Sequence, residues 1–301
     1  MKAMEITRLL DMQAGLGESP VWSAAEQALY WVDITAPSLH RLNLVTGDRR
    51  EWKMPSTIGC ATLADNGGLL VALRGGIHHF NPRTAHLRFI AHPEGNLGGN
   101  RYNDGKMAPD GRFFVGTMDE ATLSRPSGAL YRLDPDGRTK RMLDGLIVSN
   151  GLAWSADGKT MFHSDSKAQK LFSYSYANGE LGDPRLLATP GEADGRPDGG
   201  ATDMAGVYWS AGISAAVLNG YKAEEGWVCR FNLPCAAPTM PCFGGEDMRL
   251  LFITSARHHV APARLREFPH SGAIFSMRME VPGVPIPAFP MARLFSEVTT
   301  A

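Results

Sequence analysis

The sequence predicts an all-β protein, a six-bladed β-propeller of four-stranded antiparallel blades, and two observations support this fold class. The first is an internal repeat in which a short apolar strand, a tight turn and a second strand recur. The turns align on six residues at spacings of 41, 44, 47, 48 and 41: Glu26, Gly67, Gly111, Gly158, Gly206 and Asp247. Repeats of this length are typical of propeller blades. The second is that the repeats are rich in β-branched and aromatic residues and lack helical periodicity.

Each repeat divides into short predicted strands bounded by turn residues. In the first two repeats these are 20–23, 28–33, 39–43 and 49–54, then 60–64, 69–73, 77–81 and 87–91. In the next two they are 112–117, 129–133 and 140–143, then 152–155, 160–164, 170–176 and 185–188. In the last two they are 201–203, 207–210 and 226–232, then 242–244, 250–255 and 273–279. Short strands between turns of Gly, Asp, Asn and Pro fit antiparallel blades.

The two ends of the chain lie outside the repeats. Residues 4–12 are predicted as a strand that pairs in the last blade, because this pairing removes an exposed sheet edge. We therefore expect one propeller domain over residues 1–301. Near the other end, residues 291–296 are predicted as a further edge strand.

Two repeats carry longer interruptions. Residues 211–225 are predicted as a loop in the fifth repeat. An insert at 256–271 separates strands of the sixth and contains His258 and His259. Because inserts in a regular repeat often lie on one face and frame a site, we expect the second interruption to matter for function.

Composition limits the partners of the protein. The formal net charge is −1 over 301 residues, with acidic and basic residues interspersed. This distribution provides no basic surface for nucleic acid or anionic membranes, so we expect neither as a partner. The sequence has no apolar run of 18 residues and no secretory leader, which favours a cytoplasmic location. The four cysteines lack C-x-x-C spacing, and we interpret them as reduced thiols.

Six residues share one phase of the repeat. They stand eight positions before each aligned turn, where the chain enters the innermost strand of a blade: Glu18, Gly59, Asn103, Asn150, Asp198 and Thr239. In a closed propeller such positions form a ring at one mouth of the central channel. Taken singly, Asn103, Asn150 and Asp198 also stand in ordinary tight-turn dipeptides. Their common phase, and a glutamate where no hairpin turn favours one, indicate a site.

The chemistry of this ring predicts a metal ion. Two carboxylates without a counter-charge would repel each other, and a divalent cation neutralises them. Glu18, Asn150 and Asp198 would then be three oxygen ligands, and Gly59 leaves one side of the ring open. An all-oxygen set suits Ca²⁺, Mg²⁺ or Mn²⁺; Ca²⁺ is our first choice, and Zn²⁺ and Fe²⁺ remain open.

Arg101 and Asn103 precede the third innermost strand. As a pair they would hydrogen-bond a polyhydroxylated ligand above the metal, although Arg101 fits equally well as an ordinary surface arginine. The pairs His78-His79 and His258-His259 lack the spacing and carboxylate partner of a zinc site. The sequence has no G-x-S-x-G, Walker A or G-x-G-x-x-G motif, which argues against serine hydrolase, P-loop and Rossmann chemistry.

These motifs resemble the SMP-30/gluconolactonase/luciferin-regenerating family, six-bladed propellers that include regucalcin and bacterial sugar lactonases. The resemblance covers residues 15 to 275, in the stretches LGESPVW (16–22), LYWVDI (29–34), RYNDGK (101–106), FVGTM (114–118), SNGLA (149–153), RPDG (196–199), CFGG (242–245) and TSAR (254–257). It implies metal ligands at Glu18, Asn150 and Asp198 and substrate contacts at Arg101 and Asn103. One position departs from the family, because Ala121 stands where an acidic residue often lies over the site.

From this resemblance we expect a metal-dependent lactonase that opens a sugar lactone, such as glucono-, xylono-, arabinono- or galactonolactone, to the aldonic acid. The metal would polarise the carbonyl, and Asp198 would assist the attack of water as general base. Two alternatives remain open: a metal-dependent phosphotriesterase or other esterase, and a non-catalytic calcium-binding regulatory propeller.

Overall fold

Six four-stranded antiparallel sheets follow one another around a closed ring in the computed structural model, which describes residues 5–95 and 98–294. The innermost strands of neighbouring sheets contact one another in sequence, and the innermost strand of the sixth contacts that of the first. The predicted six-bladed β-propeller is therefore confirmed. None of the helices in the described ranges is long and apolar enough to span a membrane.

Every blade runs from its innermost to its outermost strand. Blades 1 and 2 comprise β2 (Gly17–Ser23), β3 (Ala28–Asp33), β4 (Ser38–Asn43) and β5 (Arg49–Lys53), then β6 (Ile58–Leu63), β7 (Leu69–Leu73), β8 (Gly76–Asn81) and β9 (His86–Ala91). Blades 3 and 4 comprise β10 (Asn100–Met107), β11 (Phe113–Asp119), β12 (Gly128–Leu133) and β13 (Thr139–Leu146), then β14 (Ser149–Trp154), β15 (Thr160–Asp165), β16 (Lys170–Ala177) and β17 (Glu180–Ala188). Blades 5 and 6 comprise β18 (Pro197–Thr202), β19 (Tyr208–Gly212), β20 (Val217–Lys222) and β21 (Gly226–Asn232), then β22 (Pro238–Gly244), β23 (Leu250–Ser255), β24 (Ile274–Arg278) and β1 (Ile6–Leu10).

The sixth blade combines both ends of the repeat region. Its outermost strand, β1, pairs antiparallel with β24 and aligns Ile6 with Met277 and Thr7 with Ser276. This pairing covers the edge of β24, which would otherwise expose unpaired backbone groups. The ring is thus closed by a strand from the opposite end of the chain.

Apolar side chains fill the spaces between blades. Aromatic pairs cross three of the interfaces: Trp22 with Phe252 at 5.6 Å between ring centroids, Phe114 with Trp154 at 5.2 Å and Phe162 with Tyr208 at 4.7 Å. Such pairs contribute about 0.5–1.5 kcal/mol beyond the burial of their area. Both faces of the inner strands are therefore buried, which holds the mouth of the channel in a fixed shape.

A register shift interrupts each innermost strand near its start. In all six blades one extra residue stands on the inner strand relative to its partner, between Glu18 and Val21, Ile58 and Cys60, Tyr102 and Gly105, Asn150 and Ala153, Pro197 and Gly200, and Pro238 and Pro241. A bulge of this kind bends the strand and changes the direction of its side chains. The repeat therefore places the same distortion at the entrance of every blade.

Two sequence predictions are wrong in detail. Residues 217–222, predicted within a loop, form β20, which pairs with β19 and β21. Asn219-Gly220 is a dipeptide typical of tight turns. Here its backbone stays extended within β20, and the Asn219 side-chain amide donates to the Asp194 carbonyl at 2.8 Å. Residues 291–293 form a 3₁₀ helix rather than an edge strand, because the Met291 amide donates to Asp65 Oδ1 at 3.0 Å across blade 2. Residues 295 and 296 of that prediction lie outside the described residues.

The insert of blade 6 contains the helix α1 (Pro262–Glu267). The four cysteines are free thiols, and three of them are buried.

An aspartate at the end of a second strand joins three segments in blades 1 and 4. Asp33 accepts hydrogen bonds from the amides of Gly15 and Leu16, which precede β2, and from Thr35 and Ala36 in the following turn. Burial raises the pKa of Asp33, but these hydrogen bonds outweigh it and the net pKa is lowered. Asp165 accepts hydrogen bonds from the amides of Ile147 and Val148, which precede β14, and from those of Lys167 and Ala168 in the following turn.

Replacing Asp33 with Ala is expected to lower the free energy of unfolding by about 2–3 kcal/mol, because several buried backbone amides lose a charged acceptor. Urea unfolding followed by circular dichroism measures the change. Asp157 supplies the control, since it accepts from Ser155 and Lys159 in an exposed turn, and its replacement by Ala should cost less than about 1 kcal/mol. Equal losses in both variants would contradict the role assigned to Asp33.

Candidate metal and lactone site

The residues of the predicted ring occupy equivalent places in their blades. Five are the second residue of an innermost strand, and Asn103 is the fourth residue of β10. Each stands at or next to the bulge, so five side chains approach one mouth of the channel from different blades. Gly59 carries no side chain there, and a Cβ at this position would lie 2.4 Å from the Tyr102 carbonyl oxygen.

Three buried carboxylates face one another at this mouth. Glu18, Asp104 and Asp198 are 8%, 4% and 6% exposed. Burial raises the pKa of Glu18 well above its usual value, and the charges of Asp198 and Asp104 raise it further. Burial likewise raises the pKa of Asp198, with Asp104 adding to the effect. The site therefore holds more negative charge than its surroundings balance.

Amides link the ring residues to one another. The Asn150 amide donates to Asp198 Oδ1 and to Ser166 Oγ, the latter at 3.0 Å. The Asn103 amide donates to the Ser149 carbonyl at 3.0 Å. The Arg101 guanidinium donates to Asn103 Oδ1 at 2.8 Å, so this predicted pair is in direct contact.

A cavity of about 670 Å³ opens outside the ring. Five of its lining residues stand two positions before a ring residue: Leu16, Thr57, Arg101, Arg196 and Ala237. Arg101 lies within β10, and the other four directly precede an innermost strand. The cavity therefore adjoins the entrances of the innermost strands, where the ring residues stand.

The insert of blade 6 forms another wall of this cavity. His258, His259 and Arg264 line it, which agrees with the expectation that the insert frames a site. The loop after β11 contributes Glu120, which forms an ion pair with Arg74. An acid from this loop is thus present at the cavity, one residue before Ala121.

Sequence reasoning missed three charged residues of the site. Arg196 stands two positions before Asp198, in the same phase as Arg101 before Asn103, and this spacing was a usable signal. Asp104 and Lys106 follow Asn103 in a stretch that resembles a turn but forms part of β10. No local pattern distinguishes these two from turn residues.

Asp104 and Lys106 lie on the inner side of the ring. Asp104 Oδ2 accepts from the Leu152 amide at 2.9 Å, while Oδ1 is buried without a hydrogen-bond partner among the described residues. The Lys106 ammonium donates to the Gly200 carbonyl. Burial lowers the pKa of Lys106, and the nearby Asp104 charge opposes that shift. Lys106 therefore compensates part of the negative charge from within the channel.

The donor set fits a hard divalent cation. In the described ranges, no group of three His, Cys, Asp or Glu side chains is arranged to hold a metal ion. The candidate set is instead two carboxylates and one amide. Among described residues, neither Glu18 nor Asp198 forms an ion pair. The charge of Arg101 lowers the pKa of both carboxyl groups, and the charge of Arg196 lowers that of Asp198. A cation at this point would supply the missing charge, with Glu18, Asn150 and Asp198 offering oxygen ligands.

Most of the chain is similar to proteins of one known family. Residues 16–257 match the family described as SMP-30/Gluconolactonase/LRE-like region. The chain is 39% identical over 276 residues to the 6-deoxy-6-sulfogluconolactonase of Pseudomonas putida, covering 91% of this chain and 94% of that protein. It is 31% identical to rabbit (Oryctolagus cuniculus) regucalcin, covering 95% and 98%.

A solved structure shares the arrangement of the blades. The calcium-binding protein regucalcin from Agrobacterium tumefaciens superposes with a TM-score of 0.87 at 26% identity, covering 92% of this chain and 95% of that one. The repeat, the ring and the family match all extend over the same part of the chain. This protein therefore belongs to the SMP-30/gluconolactonase/LRE-like family.

Proposed function

We propose that this protein is a metal-dependent hydrolase of sugar lactones. The observation that carries the proposal is the pair of buried carboxylates, Glu18 and Asp198, without an ion pair in the described chain and beneath a cavity of about 670 Å³. Such a pair needs a cation, and the cavity leaves room for a substrate beside it.

The relatives support the reaction class. The P. putida relative, 39% identical, is named for its action on a sulfonated gluconolactone. The family to which the chain belongs is named in part for gluconolactonases, which supports the same reaction class. The neutral hydroxyl groups of an aldonolactone suit a cavity whose walls include Arg101, Thr35 and Ser214.

A divalent cation held by Glu18, Asn150 and Asp198 would polarise the lactone carbonyl and stabilise the negative charge that develops on its oxygen. Asn150 would offer its amide oxygen, and its hydrogen bond to Asp198 would keep the two ligands adjacent. Ca²⁺ is our first choice of ion because every donor is an oxygen.

Asp198 is the proposed general base. Its Oδ1 accepts from Asn150, whereas its Oδ2 makes no hydrogen bond to the described residues and is available to a water molecule. In the proposed step, Asp198 accepts a proton from water as the water oxygen attacks the carbonyl carbon. The bond from that carbon to the ring oxygen then breaks, and Asp198 returns the proton to the ring oxygen. The product is the open aldonic acid.

Arg101 and Asn103 orient the substrate in this proposal. The Arg101 guanidinium is fixed by hydrogen bonds to Asn103 Oδ1 and the Tyr102 carbonyl, at 2.8 and 2.9 Å. Because these two hydrogen bonds already fix the guanidinium, its remaining N–H groups can bind a substrate with little further loss of side-chain conformational entropy. These donors would bind hydroxyl groups of the lactone.

The protein is expected to accelerate hydrolysis of at least one lactone among glucono-, xylono-, arabinono- and galactonolactone, and to lose this activity on chelation. The measurement is proton release, corrected for spontaneous hydrolysis, before chelation, after it, and with Ca²⁺, Mg²⁺, Mn²⁺, Zn²⁺ or Fe²⁺ restored. Recovery with one ion would identify the cofactor, because the carboxylates cannot supply Lewis acidity themselves.

Three results would contradict the proposal in different ways. Lactone hydrolysis that survives complete chelation would remove the metal from the reaction. Turnover of phosphotriesters but of no lactone would make the protein another type of esterase. Calcium binding by calorimetry without turnover of any substrate would make it a binding protein.

Replacing Asp198 with Asn is expected to reduce turnover by about a thousandfold or more, because the variant loses both the proposed base and a charged ligand. The thermal midpoint of the metal-free variant should stay equal or rise, since one of the repelling buried charges is gone. Circular dichroism melting provides this second readout, and a variant that unfolds early would assign Asp198 a structural role instead.

The matched variant is Glu18→Gln, which removes a ligand but leaves the proposed base. We expect weaker calcium binding by calorimetry in both variants, with the carboxylate of Asp198 still required for turnover at saturating calcium. Full turnover of Asp198→Asn at saturating calcium would eliminate Asp198 as the base.

A further inference from the structure

Asp104 contacts the strand that carries Asn150. Its Oδ2 accepts a hydrogen bond from the Leu152 amide at 2.9 Å, across the interface between blades 3 and 4. The neighbouring Asn103 side chain donates to the Ser149 carbonyl at 3.0 Å. The backbone is therefore held on both sides of Asn150, one residue before it and two residues after it.

Lys106, from the same strand of blade 3, contacts the strand that carries Asp198. Its ammonium donates to the Gly200 carbonyl, two residues after Asp198. Gly200 belongs to blade 5, so this hydrogen bond links two blades that are not neighbours in the ring. Lys106 and Asp104 are 6% and 4% exposed, and the attraction between their opposite charges offsets part of the cost of burying both.

The backbone that follows these two proposed ligands is rich in glycine. Asn150 precedes Gly151, and Asp198 precedes Gly199 and Gly200. Glycine has more backbone freedom than any other residue, and Gly151 uses that freedom by adopting a φ of +66°. Because glycine itself does not restrict the chain, hydrogen bonds from other parts of the fold must fix these two segments.

The third proposed ligand is fixed differently. Glu18 is followed by Ser19 and Pro20, and the proline ring restricts the backbone directly. Ser19 Oγ also donates to the Ala61 carbonyl at 3.1 Å and accepts from the Ala61 amide at 2.9 Å. This ligand is therefore held by its own strand and by blade 2, whereas the two ligands that precede glycine are held from blade 3.

We propose that Asp104 and Lys106 are positioning residues of the site, with Asp104 fixing Asn150 and Lys106 fixing Asp198 through the backbone that follows each. The consequence for calcium binding and turnover rests on the proposed function. Neither residue is a ligand or a substrate contact, since each acts through a proposed ligand. Replacing residues that orient metal ligands typically reduces metal affinity or activity by about 10–100-fold.

Lys106→Met is the first test, because an effect of charge and an effect of position predict opposite results. If Lys106 acted only through its positive charge, its loss would strengthen calcium binding, since a repelling charge would leave the site. We expect the reverse, with calcium affinity about tenfold weaker by calorimetry. At saturating calcium, kcat should fall by about tenfold or more while KM for the lactone stays nearly unchanged. Calcium binding at least as tight as in the wild type, with unchanged kcat, would overturn the role of Lys106.

Asp104→Asn and Asp104→Leu separate the hydrogen bond of Asp104 from its charge. Both variants lose the charge, but the asparagine side chain keeps an oxygen that accepts from the Leu152 amide. We expect calcium affinity to be about tenfold higher in Asp104→Asn than in Asp104→Leu. Equal affinities in the two variants would show that Asp104 does not position Asn150.

Thr202→Val is the matched control. Thr202 Oγ1 donates to the Trp154 carbonyl between blades 4 and 5, at positions four residues beyond Asp198 and Asn150. Loss of this buried hydrogen bond should lower the thermal midpoint in circular dichroism while leaving calcium affinity and kcat unchanged. If Lys106→Met or Asp104→Leu showed only such a loss of stability, the residue concerned would have a structural role and not a positioning one.

If the protein binds no divalent cation and hydrolyses no lactone, the proposed function fails, and metal-free protein decides whether the two residues fix the backbone. Hydrogen exchange followed by mass spectrometry measures this in residues 197–202 and 149–154. The first segment should exchange about tenfold faster in Lys106→Met than in Thr202→Val, and the second about tenfold faster in Asp104→Leu than in Thr202→Val. Equal exchange rates would overturn the inference.

Discussion

Two carboxylates buried without ion pairs, Glu18 and Asp198, set the conditions for everything around the mouth of this propeller. Taking such groups out of water costs several kcal/mol per ion. This cost is on the order of the net stability of a whole domain. The surroundings reduce that cost without removing it: Asn150 donates to Asp198, Arg101 lies within reach of both charges, and Lys106 acts from inside the channel. The remaining imbalance is what a bound cation would relieve, and it is maintained because the closed ring holds Glu18 and Asp198 on separate blades.

The scaffold maintains this arrangement through repetition. Each innermost strand contains one extra residue at its entrance, and bonds between neighbouring inner strands connect these entrances, for example from Thr239 Oγ1 to the Gly17 carbonyl and from Ser19 Oγ to the Ala61 carbonyl. Apolar packing between blades then prevents any single entrance from moving independently. Glu18 and Asp198 come from blades 1 and 5, so neither can leave the other without opening the ring.

Equivalent positions of the repeat carry side chains of different chemical types. The ring phase carries carboxylates, amides, a threonine and a glycine. At Gly59 the backbone of β10 occupies the space of a side chain, so the structure does not show the open side that the sequence predicted there. Two positions before Asn103 and Asp198, Arg101 and Arg196 both line the cavity, and the charge of each lowers the pKa of Asp198. The insert of blade 6 adds His258, His259 and Arg264 on one side only.

Much of this could be predicted from the sequence, because a repeat of about 45 residues with turn residues at fixed offsets specifies blades, their number and the phase at which side chains meet. The same phase identifies Glu18, Asn150 and Asp198 as neighbours without any knowledge of contacts. Local patterns failed where tertiary contacts override them: Asn219-Gly220 stays extended between two strands, and residues 291–293 bend over Asp65. The burial of Asp104 and Lys106 depends on which side chains surround them, and only ring closure determines that. The sequence by itself determined which residues share the mouth, whereas the tertiary structure decided their charge balance, because pKa and pairing depend on distances that the order of residues does not contain.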